Sequence, residues 1–182
     1  MARVPYLDPE DLAEADRDIL KRPITLHRAL AHTVAGARAF GGLGQWIRYG
    51  TKLDPRLREL AILQVGWLAK SPYEWSHHVK IGFDFKVSEA DIAKIAIESA
   101  GEASDLPEFD RAVLKGAREV TLDGRMSAAT FKTLHLALGH EQIVELTLVI
   151  SFYNAVVRVL ATLEIDVEPD YQPYLDQFPL PR

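Results

Sequence analysis

Residues 53–95, LDPRLRELAILQVGWLAKSPYEWSHHVKIGFDFKVSEADIAKI, contain three helix starts in succession and decide the fold. Asp54-Pro55 places a capping carboxylate before a proline, which is tolerated in a first turn because its missing N–H would have no partner there. Ser71-Pro72-Tyr73-Glu74 repeats that arrangement with Glu at the third helical position, the form of a capping box. Ser88-Glu89-Ala90-Asp91 is a further start of the same kind. Between these signals the apolar residues recur at spacings of three and four. Leu57, Leu60, Ala61, Gln64 and Leu68 fall along one side of the first helix, and the second is predicted from Pro72 to about Phe85.

The same spacing holds outward in both directions, and strict alternation of the strand type is missing, so the fold class is all-α. Upstream, Asp8-Pro9 opens a helix predicted to reach Lys21, with Arg22-Pro23 ending it. A second helical stretch begins near Thr25 and includes His27, Leu30 and Ala31. Gly36, Gly41, Gly42 and Gly44 then allow bends or close helix contacts before Trp46 and Ile47. Downstream, Ser99 to Pro107 reads as a loop. Helices follow at about 108–122, 127–137 and 140–164, separated by Asp123-Gly124 and by Gly139. The organisation is a single helical domain, 1–165, followed by a tail, 166–182. That tail holds four of the ten prolines and is expected to run extended over a surface or a neighbouring subunit.

At 182 residues, 48% hydrophobic and 26% charged, the composition is that of one folded domain. The formal net charge of -5, with no polybasic run, argues against nucleic acid as a partner. The acidic N-terminal stretch lacks the apolar region of an export signal, so the expected location is cytoplasmic. Ile143 to Leu163 is apolar but carries Glu145, Asn154 and Arg158, each expensive at bilayer depth. It reads as a buried helix of the core or of a subunit interface rather than a membrane span. Cysteine is absent, which removes disulfides, thiolate metal sites and every mechanism that needs a protein thiol.

Glu74 and His78 are four residues apart on one helix and so share a face. A carboxylate beside an imidazole fixes its tautomer and raises its pKa, which suits proton transfer near neutral pH. Each residue also has a plain structural role open to it, Glu74 as part of a cap and His78 as a satisfied core histidine.

The 53–95 segment resembles the core of the carboxymuconolactone decarboxylase-like family, which includes the alkylhydroperoxidase D proteins; LTLVISFYNAVVRVLATL, later in the chain, is similar to the family's closing helix. In the redox branch a Glu precedes a Cys-x-x-Cys-x-x-x-His motif by a dozen residues, and the four form a proton-relay peroxidase site. On this sequence the Glu falls on Glu59, the two cysteines on Ser71 and Glu74, and the His on His78, without a gap. The thiolate that attacks peroxide and the thiol that resolves the sulfenic acid are thus both replaced. The remaining Glu-x-x-x-His is similar to the decarboxylase branch, in which such a pair sits in a cofactor-free site acting on an acidic lactone.

The resemblance therefore implies an alkylhydroperoxidase D-like helical fold and a lyase-type acid-base site with His78, Glu74 and Glu59 as catalytic residues. It implies no cofactor, a small acidic substrate, and self-association as a dimer, trimer or hexamer. The alternatives are a peroxidase-related member that has lost its thiols, or a noncatalytic helical oligomer. Ser71, His77, His32 and Trp75 are the candidate substrate-binding residues, with His27 and Arg38 as further anion-binding candidates. His135 and His140 read as surface or capping residues. A metal site is not expected, because His77 and His78 diverge by about 100° round the helix and cannot readily share one ion.

Overall fold

The computed structural model describes residues 2–181, which contain helices and no strand. Eight α-helices follow one another: α1 (Thr25–Leu30), α2 (Val34–Tyr49), α3 (Pro55–Leu68), α4 (Pro72–Asp84), α5 (Glu89–Ser99), α6 (Glu108–Asp123), α7 (Ala128–Leu163) and α8 (Gln172–Gln177).

The caps form largely as their residues dictate. The Asp54 carboxylate accepts from the Arg56 and Leu57 amides, and Ser88 with Asp91 makes a reciprocal capping box. Ser71 makes only half of one. Its hydroxyl accepts from the Glu74 amide at 3.4 Å, but the Ser71 amide goes to the Gly66 carbonyl at 3.1 Å, so the Glu74 carboxylate is free for other work.

Helix α3 is the axis of the fold. Every residue from Arg58 to Gly66 is buried, so the one-sided stripe expected for this helix is instead burial on all sides, the mark of a helix enclosed by others. Ala61, Ile62 and Val65 face a larger core shared with Ile47 of α2, Val113 and Ala117 of α6 and a row along α7 from Ile143 to Leu160. Leu60 and Leu63 face a second core with Trp75 and Val79 of α4 and Ile92 and Ile95 of α5. Arg56, at the start of α3, ties α5 and α6 to it through Asp91 at 3.0 Å and Asp110 at 2.7 Å.

Three features depart from the sequence reading, and the Gly139 boundary holds. The stretch 9–21 is not one α-helix but two 3-10 segments, Pro9–Asp11 and Glu14–Leu20, anchored by Arg38, whose guanidinium holds Asp16 at 3.0 Å and Asp18 at 2.6 Å. The glycine-rich stretch after His32 is a continuous 16-residue helix, α2. Helix α7 runs across Gly139, but that residue has φ 70° and ψ -174°, a conformation open essentially to glycine alone, so the axis breaks where the sequence placed a boundary.

The tail, finally, is not extended over a distant surface. It folds back as a 3-10 turn, Pro169–Tyr171, and α8, and it seals the second core with Tyr174, Leu175, Phe178 and Leu180.

Among the described residues α7 is the one helix long and apolar enough to cross a membrane, with a window of mean hydropathy 1.8. Half of that window is buried within this chain. Its polar residues are engaged as well: Glu145 accepts from the amides of Lys52 and Leu53 and fastens α7 to the α2–α3 connection. The helix behaves as a core element, as its charged positions predict.

Candidate active site

The crossing of α3 and α4 brings Glu59 beneath His78. Glu59 is fully buried and His78 is 4% exposed, so each is held by protein groups alone. His78 Nδ1 lies 2.7 Å from Glu59 Oε2, and His78 Nε2 lies 3.0 Å from Glu74 Oε1. The first contact is a well-formed hydrogen bond. The second has the distance of an ion pair but poor alignment, and Glu74 Oε1 is left as a buried acceptor with an unfilled lone pair. Arg58 holds the far side of Glu59, with Nε 3.0 Å from Oε1. Its guanidinium also donates to the Arg48 carbonyl at 3.0 Å and lies 4.5 Å over the Phe85 ring. Two acids, one guanidinium and one imidazole thus make one buried set.

Burial alone would pull the His78 pKa down, but the Glu74 and Glu59 charges outweigh it and hold the imidazole above its ordinary value. Burial likewise pushes Glu59 up, and His78 with Arg58 reverses that, leaving Glu59 below the usual carboxylate range. Tyr153 of α7 closes the set, with its ring edge-on to His78 at 4.8 Å. Burial and the two carboxylate charges raise its phenol, so it is a neutral hydroxyl.

His77 points into a different environment. Its ring is stacked between Tyr73, at 4.1 Å, and Tyr171 of the tail, at 3.5 Å. Nε2 meets Glu168 at 2.8 Å. Burial carries the His77 pKa below its ordinary value despite that carboxylate, so a neutral ring donates its Nε2–H to Glu168. Burial would raise Glu168, yet the bonds from His77 and the Thr25 amide bring it down to about 2. The Tyr73 hydroxyl, at 3.2 Å, and the Thr25 hydroxyl, at 2.9 Å, also donate to it.

The two histidines nevertheless meet one cavity of about 200 Å³, between α4, α2, α7 and the start of α1. Its wall includes Glu74, His77, His78, Tyr73 and Tyr153 together with Arg22, His27, Phe40 and Arg48. Glu59 stands behind His78 rather than on this wall.

Three of the substrate-binding candidates lie outside this cavity. Ser71 is spent on the α4 cap. Trp75 packs in the second core, 5.2 Å from Trp67, and donates to the Phe178 carbonyl at 2.7 Å. His32 is exposed and bonded to the Pro5 carbonyl at 2.8 Å. Arg38 is committed to Asp16 and Asp18, and His135 and His140 contact each other at 3.0 Å on the exposed Gly139 bend. Arg22, Arg48, Tyr153, Glu168 and Tyr171 were not found from sequence. Glu168 is 91 positions from His77 and carries no local signal; Arg48 and Tyr153 sit in runs that read as interface and core. Among the described residues no group of three His, Asp or Glu side chains is arranged to hold a metal ion.

An all-α domain that buries a carboxylate, an imidazole and a second carboxylate in line across two helices, at the wall of a small cavity, has the fold of alkylhydroperoxidase D-like proteins. Residues 35–114 match the family model of the Carboxymuconolactone decarboxylase family, and the chain contains no cysteine.

Solved structures share the fold at low identity. The alkylhydroperoxidase AhpD core, an uncharacterized peroxidase-related protein from Ralstonia eutropha JMP134, matches with a TM-score of 0.79 at 19% identity, covering 96% of this chain and 95% of that one. A cysteine-to-alanine variant of the debrominase Bmp8, in complex with 2,3,4-tribromopyrrole, matches at 0.80 and 18%, covering 98% of this chain and 100% of that one. A peroxidase-related protein from Silicibacter sp. TM1040 matches at 0.75 and 18%, covering 93% and 92%. No curated protein matches this sequence.

Proposed function

We propose that this protein is a cofactor-free acid-base enzyme that acts on a small unsaturated carboxylic acid or lactone, by decarboxylation or proton transfer. The observation that carries this reading is His78, held between two buried carboxylates at the wall of a cavity. A protonated imidazole there is a proton store next to bound substrate. Glu74, whose Oε1 is 3.0 Å from Nε2 and unfilled, is the group that passes the proton toward the cavity. Glu59 is one shell further in and holds the imidazole in place.

In a decarboxylation the electrons of the breaking C–C bond enter the conjugated system as a dienolate. The charge of the imidazolium stabilises that developing anion, and its proton, relayed through Glu74, quenches the remote carbon. In a proton transfer the same pair removes a proton from one carbon and returns it to another. The Tyr153 hydroxyl and the apolar rings of Phe40 and Phe152 complete a pocket for a flat ring. The debrominase that shares this fold is one whose ligand is a small unsaturated heterocycle, which is in keeping with that substrate size. Thiol-dependent chemistry is not proposed, since no cysteine is present.

The test is a screen of small lactones and unsaturated acids against the wild type and His78→Gln. Turnover by the wild type that falls sharply in the variant supports the reading. Equal turnover by both proteins rejects the role of His78.

Self-association is part of the proposal. Leu43, Trp46 and Tyr49 of α2, together with Val144 and Leu148 of α7, are exposed apolar side chains on the two helices that flank the cavity. Light scattering is expected to give a mass above that of one 20.4 kDa chain.

A further inference from the structure

The arginines of this fold divide into those committed to a carboxylate and those that are not. Arg56 holds Asp91 and Asp110, Arg58 holds Glu59, and Arg38 holds Asp16 and Asp18. Arg48 and Arg22 make no salt bridge among the described residues, and both stand on the wall of the cavity that contains the histidines. Arg48 is half-buried, where a guanidinium without a counter-ion is costly.

Each of the two is held by a tyrosine that also touches an imidazole. Arg48 meets the hydroxyl of Tyr153, whose ring lies edge-on to His78. Arg22 Nη2 donates to the hydroxyl of Tyr171 at 3.3 Å, and the Tyr171 ring stacks on His77. His27 adds no charge between them. Its Nδ1–H donates to the Arg22 carbonyl at 2.9 Å, and burial keeps the ring neutral near pH 7.

From this arrangement we infer that Arg48 and Arg22 form a carboxylate seat, and that an acidic ligand docked on it lies with its unsaturated body against His78 and Glu74. A planar guanidinium offers paired N–H donors that match the two oxygens of a carboxylate. Glu74, on the lining of the same cavity, repels that group, so the ligand is favoured with its carboxylate on the arginines. The tail belongs to this seat: Tyr171 fixes Arg22, and Glu168 fixes the histidine beneath Tyr171. The inference rests on the acid-base reading for what happens after binding, but not for the binding itself.

The test compares 2-furoate with its neutral isostere 2-furamide by calorimetry or ligand-observed NMR. A charge-assisted hydrogen bond contributes about 1.5–3 kcal/mol, so the wild type is expected to prefer the acid by about tenfold or more. Arg48→Met removes most of that preference, Arg22→Gln reduces it, and Arg48→Lys keeps part of it because charge remains without the fork. His78→Gln retains the preference while losing turnover. Circular dichroism shows whether each variant is folded.

Equal binding of acid and amide by the wild type, or binding of neither, overturns the seat. So does an undiminished preference for the acid in a folded Arg48→Met, Arg22→Gln double variant. If instead the preference disappears in the arginine variants while His78→Gln turns over substrate normally, the seat stands and the acid-base reading fails.

Discussion

His77 and His78 are neighbours in sequence, on one helix, equally buried, and they have opposite electrostatics. His78 faces inward across α3 and meets two carboxylates, which outweigh its desolvation and favour the charged ring. His77, turned by one residue, meets a single carboxylate and two aromatic faces, and desolvation prevails. Burial penalises the charge in both, so the count and distance of counter-charges decide the sign. Two histidines displaced in opposite directions on one cavity form an acid-leaning and a base-leaning member, an arrangement common where protons are moved.

The contrast can be broken most severely at Glu59. Glu59→Ala leaves Arg58 and His78 buried without their partner, and removal of one member of a buried charge pair costs about 3–5 kcal/mol. Thermal or denaturant unfolding should show this as a large loss of stability. Glu59→Gln, which keeps shape and loses charge, should be milder and should lower the His78 pKa.

Next in size is the kinetic effect of His78→Gln. A positioned acid-base group contributes about 10²–10⁴-fold, so kcat for any substrate found should fall by that order, whereas His77→Gln should affect kcat less.

A smaller effect belongs to the tail. Glu168 has a folded pKa near 2, below the ordinary carboxylate value, so it adds stability above the ordinary value that is lost as pH falls toward 2. Glu168→Gln should remove about 1–3 kcal/mol at neutral pH and flatten this acid limb. The histidines supply further limbs of opposite sign. His77, with its pKa lowered, adds stability that declines as pH falls below its ordinary value. His78, with its pKa raised, adds stability that declines as pH climbs through its folded value. Unfolding followed against pH in His77→Gln and His78→Gln should each erase one of those slopes.

The smallest effect is expected at Trp75→Phe, which forfeits the bond to the Phe178 carbonyl and some packing for about 1–2 kcal/mol. It should leave both histidine titrations where they were, since Trp75 lies in the other core.

How much of this was legible in sequence follows from the range of the forces involved. Caps, prolines and apolar spacing act within a few residues, and Asp54, Ser71, Ser88 and Gly139 mark their boundaries correctly. The stretch 9–21 misled because Asp8-Pro9 and a row of acids resemble a helix start, yet Leu20 is its one buried residue and no apolar face draws a full α-helix onto the core. Glu74 was readable as a cap or as a site residue, and the path of the Ser71 amide to Gly66 shows only that its carboxylate is not spent on the cap.

The partners of His77 were not legible at all. Glu168 and Tyr171 reach it from the other end of the molecule, and a tail rich in proline signals an end to helices without saying where it docks. Arg48 was hidden for a related reason, because its significance lies in having no acid opposite it, and that is a fact of three-dimensional arrangement.

The most direct measurement is a ¹⁵N NMR titration of the two imidazoles in the wild-type protein, assigned with His77→Gln and His78→Gln. The account predicts that His78 loses its second proton above the ordinary histidine value, while His77 loses it below that value and, once neutral, carries its proton on Nε2. A His78 that titrates at or below the ordinary histidine value, or two histidines titrating together, would contradict it.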